Sequence, residues 1–125
     1  MAQPSVAVIG VVALWFAQAA GAQESPLRQA ARLDAEQKCG EAERAYQQVL
    51  AQGPPSLALS NNLGNHYLLC GEPEKARASF ELVLKLNPQH PNANLQLARL
   101  AADRHEGARA LEYLARVNDT GPKYS

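Results

Sequence analysis

Apolar residues recur at helical spacing along most of the chain. Leu59, Leu63 and Tyr67 lie four residues apart and Leu68 follows, so the stretch that ends at Leu69 is predicted to be an amphipathic helix. Gly and Pro residues interrupt this periodicity at regular intervals. The pattern predicts helices near residues 25–37, 40–52, 57–70, 73–86, 91–104 and 107–118.

Capping residues and prolines mark the ends of these helices. Ser25 and Pro26 combine an N-cap side chain with a proline at the first helical position. The Gly-Pro-Pro sequence at 53–55 ends the second helix, and Ser56 can cap the third. Residues 70–73, Cys-Gly-Glu-Pro, form a short turn before the fourth helix. The chain is therefore expected to consist of pairs of helices joined by short turns.

The N-terminal segment has a different pattern. No charged residue precedes Glu24, and residues 6–17 form an unbroken apolar run of signal-peptide length. The small residues at 20–22 offer a cleavage site, so residues 1–22 are predicted to be a secretory signal. No Lys or Arg precedes the run, and residues 5–22 are borderline for a membrane helix. We expect an exported protein, periplasmic or secreted; the alternative is an uncleaved membrane anchor.

Three segments of the chain repeat one another at a spacing of 34 residues. They are AERAYQQVLAQGP from Ala42, ARASFELVLKLNP from Ala76 and ALEYLARVNDTGP from Ala110. The matching columns hold Ala42, Ala76 and Ala110; Tyr46, Phe80 and Leu114; Val49, Val83 and Val117; and Pro54, Pro88 and Pro122. A fixed period in this range indicates a stacked array, because one helical hairpin cannot bury its own apolar face.

The period and its columns resemble the tetratricopeptide repeat. The second copy carries the motif best, and its characteristic positions hold Leu63, Gly64, Tyr67, Gly71, Ala76, Phe80, Val83 and Pro88. The resemblance implies an all-α fold, a right-handed α-solenoid of antiparallel helix pairs with about six helices. Its repeats would span residues 23–56, which form a degenerate copy, 57–90 and 91–124.

One residue of the motif breaks a local rule. Gly64 lies in the middle of a predicted helix, where Gly costs roughly 1 kcal/mol relative to Ala. Ala30 and Ala98 share its column, and in the repeat family this column faces the small column of the partner helix, which holds Ala76 here. We therefore expect Gly64 to permit a close approach of two helices. The expected core consists of Ala30, Ala42, Tyr46, Leu63, Gly64, Tyr67, Ala76, Phe80, Pro88, Ala98, Ala110 and Leu114.

The resemblance also implies a binding surface. In this family the first helix of each repeat lines the concave face, and the matching columns assign that face to Asn61, Asn62, Asn65, Leu69, Asn92, Gln96 and Arg99. Amide side chains donate and accept hydrogen bonds, so they suit the backbone of an extended peptide of any sequence. The alternative is that they only solvate the helix surface. Some members of the family bind acidic carboxyl-terminal tails with a clamp of Lys, Asn and Arg side chains. In this chain only Asn62 matches a position of that clamp, so a partner with such a tail is not expected.

The two cysteines raise the question of a disulfide. In stacked repeats, the end of one first helix lies beside the start of the preceding second helix, so Cys70 and Cys39 could meet. An oxidising compartment would then allow a disulfide; the alternative is a pair of small, half-buried hydrophobic residues. His66, His90 and His105 show no paired ligand spacing, so no metal site is expected.

Charge and motif content narrow the function further. The 12 basic and 12 acidic residues balance, which gives no broad attraction for nucleic acid. No Ser/His/Asp arrangement, Gly-rich phosphate loop or paired acids point to catalysis, and solvation explains the polar turn at 103–106. We expect a non-enzymatic scaffold without a cofactor that binds a protein or extended peptide. The alternative is a repeat region of a larger multidomain protein whose catalytic or membrane domain is missing.

Self-association is a further expectation for the third repeat. Arrays normally carry a polar helix on their last apolar face. The residues expected to form an open apolar surface are Leu97, Leu100, Leu111, Leu114 and Val117. Such a surface would mark an association site between chains.

Overall fold

Six helices make up the part of the chain that the computed structural model describes, residues 23–119. They are α1 (Pro26–Ala35), α2 (Cys39–Leu50), α3 (Leu57–Leu69), α4 (Pro73–Leu86), α5 (Pro91–Asp103) and α6 (Gly107–Asp119). No strand occurs between residues 23 and 119, which confirms the predicted all-α fold. Every predicted helix is present, with its ends within two residues of the prediction. The predicted signal at 1–22 lies outside the described residues.

The helices pack in consecutive pairs. α1 packs on α2, α3 on α4 and α5 on α6, while α4 also contacts α5. α3 contacts both α1 and α2 and so joins the first pair to the second. Tyr46 lies in an apolar cluster built from α1, α2 and α3, and Phe80 lies in a second cluster built around α4 and α5. Tyr67 contacts both clusters, so the core runs through the array from pair to pair.

Side chains cap the first helix of each pair. The hydroxyl oxygen of Ser25 accepts from the backbone N–H of Arg28 at 3.2 Å, and that of Ser56 accepts from Leu59 at 3.1 Å. At the third equivalent position, His90 Nδ1 accepts from the N–H of Ala93 at 3.2 Å. Each cap satisfies a backbone donor that has no partner inside its helix.

The same backbone turn ends α1, α3 and α5. Gln37, Gly71 and His105, spaced by the repeat period, all have positive φ angles of 60°, 75° and 61°. In each turn the residue after this position donates to a carbonyl five residues earlier, as Lys38 does to Leu33 at 2.9 Å. This is the Schellman arrangement, which favours Gly at the left-handed position. Only the second repeat has that Gly.

We expect substitutions at this turn to change stability in opposite directions in the first two repeats. Gln37→Gly should raise the free energy of unfolding by about 1 kcal/mol, because a left-handed backbone is strained for a residue with a Cβ. Gly71→Ala should lower it by a similar amount. Urea denaturation of both variants measures the two effects, and a loss of stability in both would contradict this account.

Most of the predicted core is buried. The buried members are Ala30, Ala42, Tyr46, Leu63, Gly64, Ala76, Phe80, Ala98 and Ala110, and Tyr67 is half-buried. Two assignments are wrong. Pro88 is exposed because it lies in the turn between α4 and α5, and Leu114 on α6 is 38 % exposed.

The expected open apolar surface is smaller than the sequence pattern suggested. Leu97 and Leu100 are buried, because both pack in the cluster around Phe80. Leu111 is 68 % exposed and Leu114 is 38 % exposed. Of the residues expected to form the open apolar surface, those that are exposed therefore lie on α6. Self-association through this repeat stays a prediction.

Gly64 faces the aromatic ring of Phe80. A Cβ atom placed on Gly64 would lie 2.6 Å from two ring atoms of Phe80. Real Cβ atoms do not approach other atoms so closely, and Phe80 is fully buried in a close-packed core. The expected close approach of α3 and α4 at Gly64 is present, and the atoms nearest to the added Cβ belong to Phe80 of α4.

Candidate functional site

A groove lies between α1 and α3, with α2 below it. Its lining residues are Ala31, Asp34, Ala35, Tyr46, Asn62, Asn65 and Leu69, and its volume is about 240 Å³. We call this the α1–α3 groove. A second cavity of about 360 Å³ shares Asp34 and Leu69 with it and extends to Gln37 and Cys39. The first helices of two successive repeats thus form one concave surface.

A third depression lies between α1 and α2. Its volume is about 410 Å³, and its lining residues are Gln29, Arg32, Leu33, Lys38, Glu41, Arg44, Ala45 and Gln48. Its polar side chains are exposed, and Arg32 forms ion pairs with Glu24 and Glu36 at 3.2 and 3.0 Å. Exposed pairs of this kind contribute little to binding or stability, so this depression is a solvated surface despite its size.

Most of the predicted binding amides bond to one another. The side-chain N–H₂ of Asn92 donates to Asn61 Oδ1 at 2.8 Å and to Asn65 Oδ1 at 3.2 Å. Gln96 Nε2 donates in turn to Asn92 Oδ1 at 3.3 Å. The two bonds donated by Asn92 connect α5 to α3 and so help to hold the second repeat against the third, while the Gln96 bond lies within α5.

Asn62 differs from the other amides. Its side chain is half-buried in the wall of the α1–α3 groove and forms no hydrogen bond with residues 23–119. A primary amide offers two donors and an acceptor, and those of Asn62 are accessible from the groove. Asn62 is therefore the one predicted site amide whose donors and acceptor are all unused within residues 23–119.

A buried polar cluster lies at the end of the groove. Asp34 accepts a hydrogen bond from the hydroxyl of Tyr46 at 2.8 Å, and its other carboxylate oxygen lies 2.6 Å from His66 Nδ1. Glu43 Oε2 lies 3.2 Å from the second ring nitrogen of His66. His66 is fully buried, and the Asp34 side chain is 8 % exposed. The cluster joins α1, α2 and α3.

Burial shapes the chemistry of Tyr46. Loss of solvent around the phenol raises the pKa of Tyr46, and the hydrogen bond to the Asp34 carboxylate raises it further. The hydroxyl therefore keeps its proton and remains a donor to Asp34 throughout the physiological pH range.

The two cysteines meet beside this cluster. The structure joins Cys39, the first residue of α2, to Cys70, which follows the last residue of α3, in a disulfide with Cα atoms 5.9 Å apart. Cys70 Sγ also lies 3.6 Å from His66 Nδ1. The disulfide spans the junction between the first and second helix pairs, so it links α2 to the end of α3, the helix that forms one wall of the groove.

The buried cluster around His66 is difficult to predict from the sequence because the partners of His66 are distant in the chain. Asp34 and Glu43 are 32 and 23 residues away. One feature of the sequence does indicate that His66 lies near the cysteines. His66 precedes Cys70 by four residues, one helical turn, so a contact between Cys39 and Cys70 would also bring His66 to the same junction.

Two family models match the chain. Both describe the tetratricopeptide repeat; one covers residues 27–91 and the other residues 71–125. The chain belongs to the tetratricopeptide repeat family. Its repeats are therefore of a kind that generally mediates interactions between proteins and is typically non-enzymatic. No curated protein matches the chain.

Several charged residues of this tetratricopeptide array form ion pairs near the turn before α6. In the turn before α6, Glu106 pairs with Arg109 at 3.2 Å and with Arg77 at 4.0 Å. Arg104 pairs with Glu74 on α4. Arg99 and Leu69, both predicted for the concave face, are exposed. None of the helices within residues 23–119 combines the length and apolar character that crossing a membrane requires.

Proposed function

We propose that this protein is an exported interaction scaffold that binds an extended peptide segment of a partner protein in the α1–α3 groove. The family supports a protein or peptide as the partner in general terms. The observation that carries the more specific proposal is the half-buried Asn62 amide, which has no partner among residues 23–119.

The chemistry of Asn62 suits a peptide backbone. An extended strand presents an N–H and a C=O to each side at every second residue. One primary amide can bond to both of these groups regardless of the peptide's side chains. Asn62 therefore supports affinity for an extended backbone without demanding a particular sequence.

The dimensions of the groove agree with this ligand. Its volume of about 240 Å³ is below the range of about 300–1,000 Å³ that is usual for small-molecule pockets. At one end Leu69 is 66 % exposed and offers an apolar contact. On the α1 side the groove is lined by the small side chains of Ala31 and Ala35, which leave space for a ligand. Such a groove suits a short run of peptide with an apolar side chain near Leu69.

Substitution of Asn62 tests this function. Peptides selected against the protein from a displayed random-sequence library should bind Asn62→Ala more weakly by about 0.5–1.5 kcal/mol, the contribution of a typical hydrogen bond. Isothermal titration calorimetry measures the difference. Asn65→Ala is a poorer test because Asn65 also accepts a bond from Asn92.

The matched control is Gln47→Ala. Gln47 is an exposed amide of α2 that does not line the groove, so its loss should leave peptide affinity unchanged. Equal affinities of wild type, Asn62→Ala and Gln47→Ala would show that the selected peptides bind elsewhere and would overturn the proposed surface.

Export is proposed from residues 1–22, and it is tested independently of the groove. Fractionation of the native host should recover the protein outside the cytoplasm, beginning at Gln23. N-terminal sequencing identifies the cleavage position. An intact Met1 on membrane-bound protein would favour the anchor.

A further inference from the structure

Four potential metal ligands converge where α1, α2 and α3 meet. Ligand atoms of Asp34, His66 and Cys70 all lie within 4.8 Å of one another. Cys39 adds a second sulfur, because it is bonded to Cys70. These are the protein's only two cysteines and one of its three histidines, brought together from three helices.

The spacing of these atoms fits a tetrahedral zinc site. Zinc–sulfur bonds of about 2.3 Å and zinc–nitrogen bonds of about 2.0–2.1 Å at tetrahedral angles place the two ligand atoms about 3.6 Å apart. Cys70 Sγ and His66 Nδ1 are separated by 3.6 Å. Asp34 Oδ1 lies closer to the same nitrogen, at 2.6 Å, so this carboxylate has to withdraw by less than about 1 Å to admit an ion.

Two further groups hold the ligands in place. Glu43 Oε2 lies 3.2 Å from His66 Nε2, the ring nitrogen that faces away from the sulfurs. A carboxylate that accepts a hydrogen bond from the N–H of the distal nitrogen is the usual support of a metal-bound histidine, because it leaves the other nitrogen free to bind. Tyr46 similarly donates to Asp34 Oδ2 at 2.8 Å and leaves Oδ1 directed at the cluster.

We propose that reduction of the Cys39–Cys70 disulfide converts this cluster into a binding site for Zn²⁺, with Cys39, Cys70, His66 and Asp34 as its four ligands. Oxidation would close the site. The protein would thus exchange a covalent link between α2 and α3 for a metal link at the same junction.

The chemistry balances with a dithiol as the reductant. The dithiol supplies two electrons and two protons, the Cys39–Cys70 bond breaks to give two thiols, and the dithiol becomes its own cyclic disulfide. Zn²⁺ then displaces both thiol protons to solvent and binds the thiolates. Any proton on His66 Nδ1 also leaves, while Nε2–H remains bonded to Glu43. An intact disulfide offers no thiolate, so the oxidised protein lacks two of the four ligands.

Cobalt provides a spectroscopic test on the full-length protein. The protein is reduced with a phosphine, freed of metal and titrated anaerobically with Co²⁺. We expect one Co²⁺ per chain, a thiolate-to-cobalt charge-transfer band in the near ultraviolet and strong tetrahedral bands in the visible region. Added Zn²⁺ should displace Co²⁺ and so abolish the charge-transfer band and the visible bands. The oxidised protein should show none of these bands. Absence of these bands from reduced, folded protein would overturn the proposal.

Substitutions then identify the ligands. Glu43→Gln should weaken Co²⁺ binding by about 10–100-fold, the usual effect of losing a group that supports a ligand. Cys39→Ser should remove the charge-transfer intensity of one thiolate, and His66→Ala should abolish tight binding. His105→Ala is the control, because His105 is exposed in the turn before α6. Equal affinity in wild type and Glu43→Gln would overturn the assignment of His66.

If His66→Ala does not fold, X-ray absorption spectroscopy of the wild-type protein tests the same ligand assignment. The zinc edge of reduced wild-type protein should show two sulfur and two nitrogen or oxygen neighbours. A shell with two sulfurs and only solvent oxygen, without the outer-shell scattering of an imidazole ring, would overturn the four-ligand site.

Discussion

Removal of the Cys39–Cys70 link should lower the free energy of unfolding by about 3–4 kcal/mol, the value expected for a covalent loop closed across 31 residues. The bond restricts the unfolded chain far more than the folded one, since α2 and α3 already lie together. Urea denaturation of oxidised wild type and of the double variant Cys39→Ser, Cys70→Ser measures the difference. All samples need a chelator, so that a bound metal cannot replace the lost link.

Reduced wild type is the control for this substitution. It should lose as much stability as the double variant, because both lack the link while the reduced protein keeps the cysteine side chains. An unchanged denaturation midpoint on reduction would contradict a disulfide in the native protein. Destabilisation of the double variant alone would attribute the effect to the serine side chains.

Gly64→Ala should destabilise the protein, although Ala is the better helix former by about 1 kcal/mol. The new methyl group would lie 2.6 Å from the buried ring of Phe80, and overpacking of a close-packed core costs about 1–3 kcal/mol. The two terms leave a net loss of up to about 2 kcal/mol. Gly64→Leu should lose about 3 kcal/mol or more, because several additional atoms must be accommodated between α3 and α4.

Gly107→Ala is the matched control for Gly64. Gly107 begins α6, and an added Cβ there meets no atom within 4 Å. Its substitution should leave stability unchanged or raise it slightly. Thermal unfolding followed by circular dichroism compares the three variants. A Gly64→Ala protein as stable as Gly107→Ala would show that Phe80 can move aside at little cost.

The repeat period and the cap signals were sufficient to predict the helices. Ser25, Ser56 and the prolines at 26, 73 and 91 all lie where the structure begins a helix, because capping and proline placement depend on a few neighbouring residues. The family resemblance then supplied the pairing of helices. Local capping signals and a fixed repeat period were therefore sufficient to predict the number of helices and their approximate ends.

Contacts between side chains were harder to predict. A column shows which face of a helix is buried, but it does not show which neighbouring side chain comes nearest, so the contact of Gly64 with the Phe80 ring was not predicted. The same reasoning could not distinguish amides that bond to each other, such as Asn61 and Asn92, from Asn62, which bonds to neither. Which side chains contact one another depends on the directions in which they point from different helices, and the repeat columns do not give these directions.

The position of the disulfide also has a mechanical consequence. If the protein is pulled from its two ends, tension passes from α1 through Cys39 directly to Cys70 and on to α4. The enclosed residues, which include nearly all of α2 and α3, carry no load, and the extended length of the oxidised chain is shorter by roughly 100 Å. The α3 wall of the groove, with Asn62 and Asn65, would therefore lie outside the line of force while the link is intact.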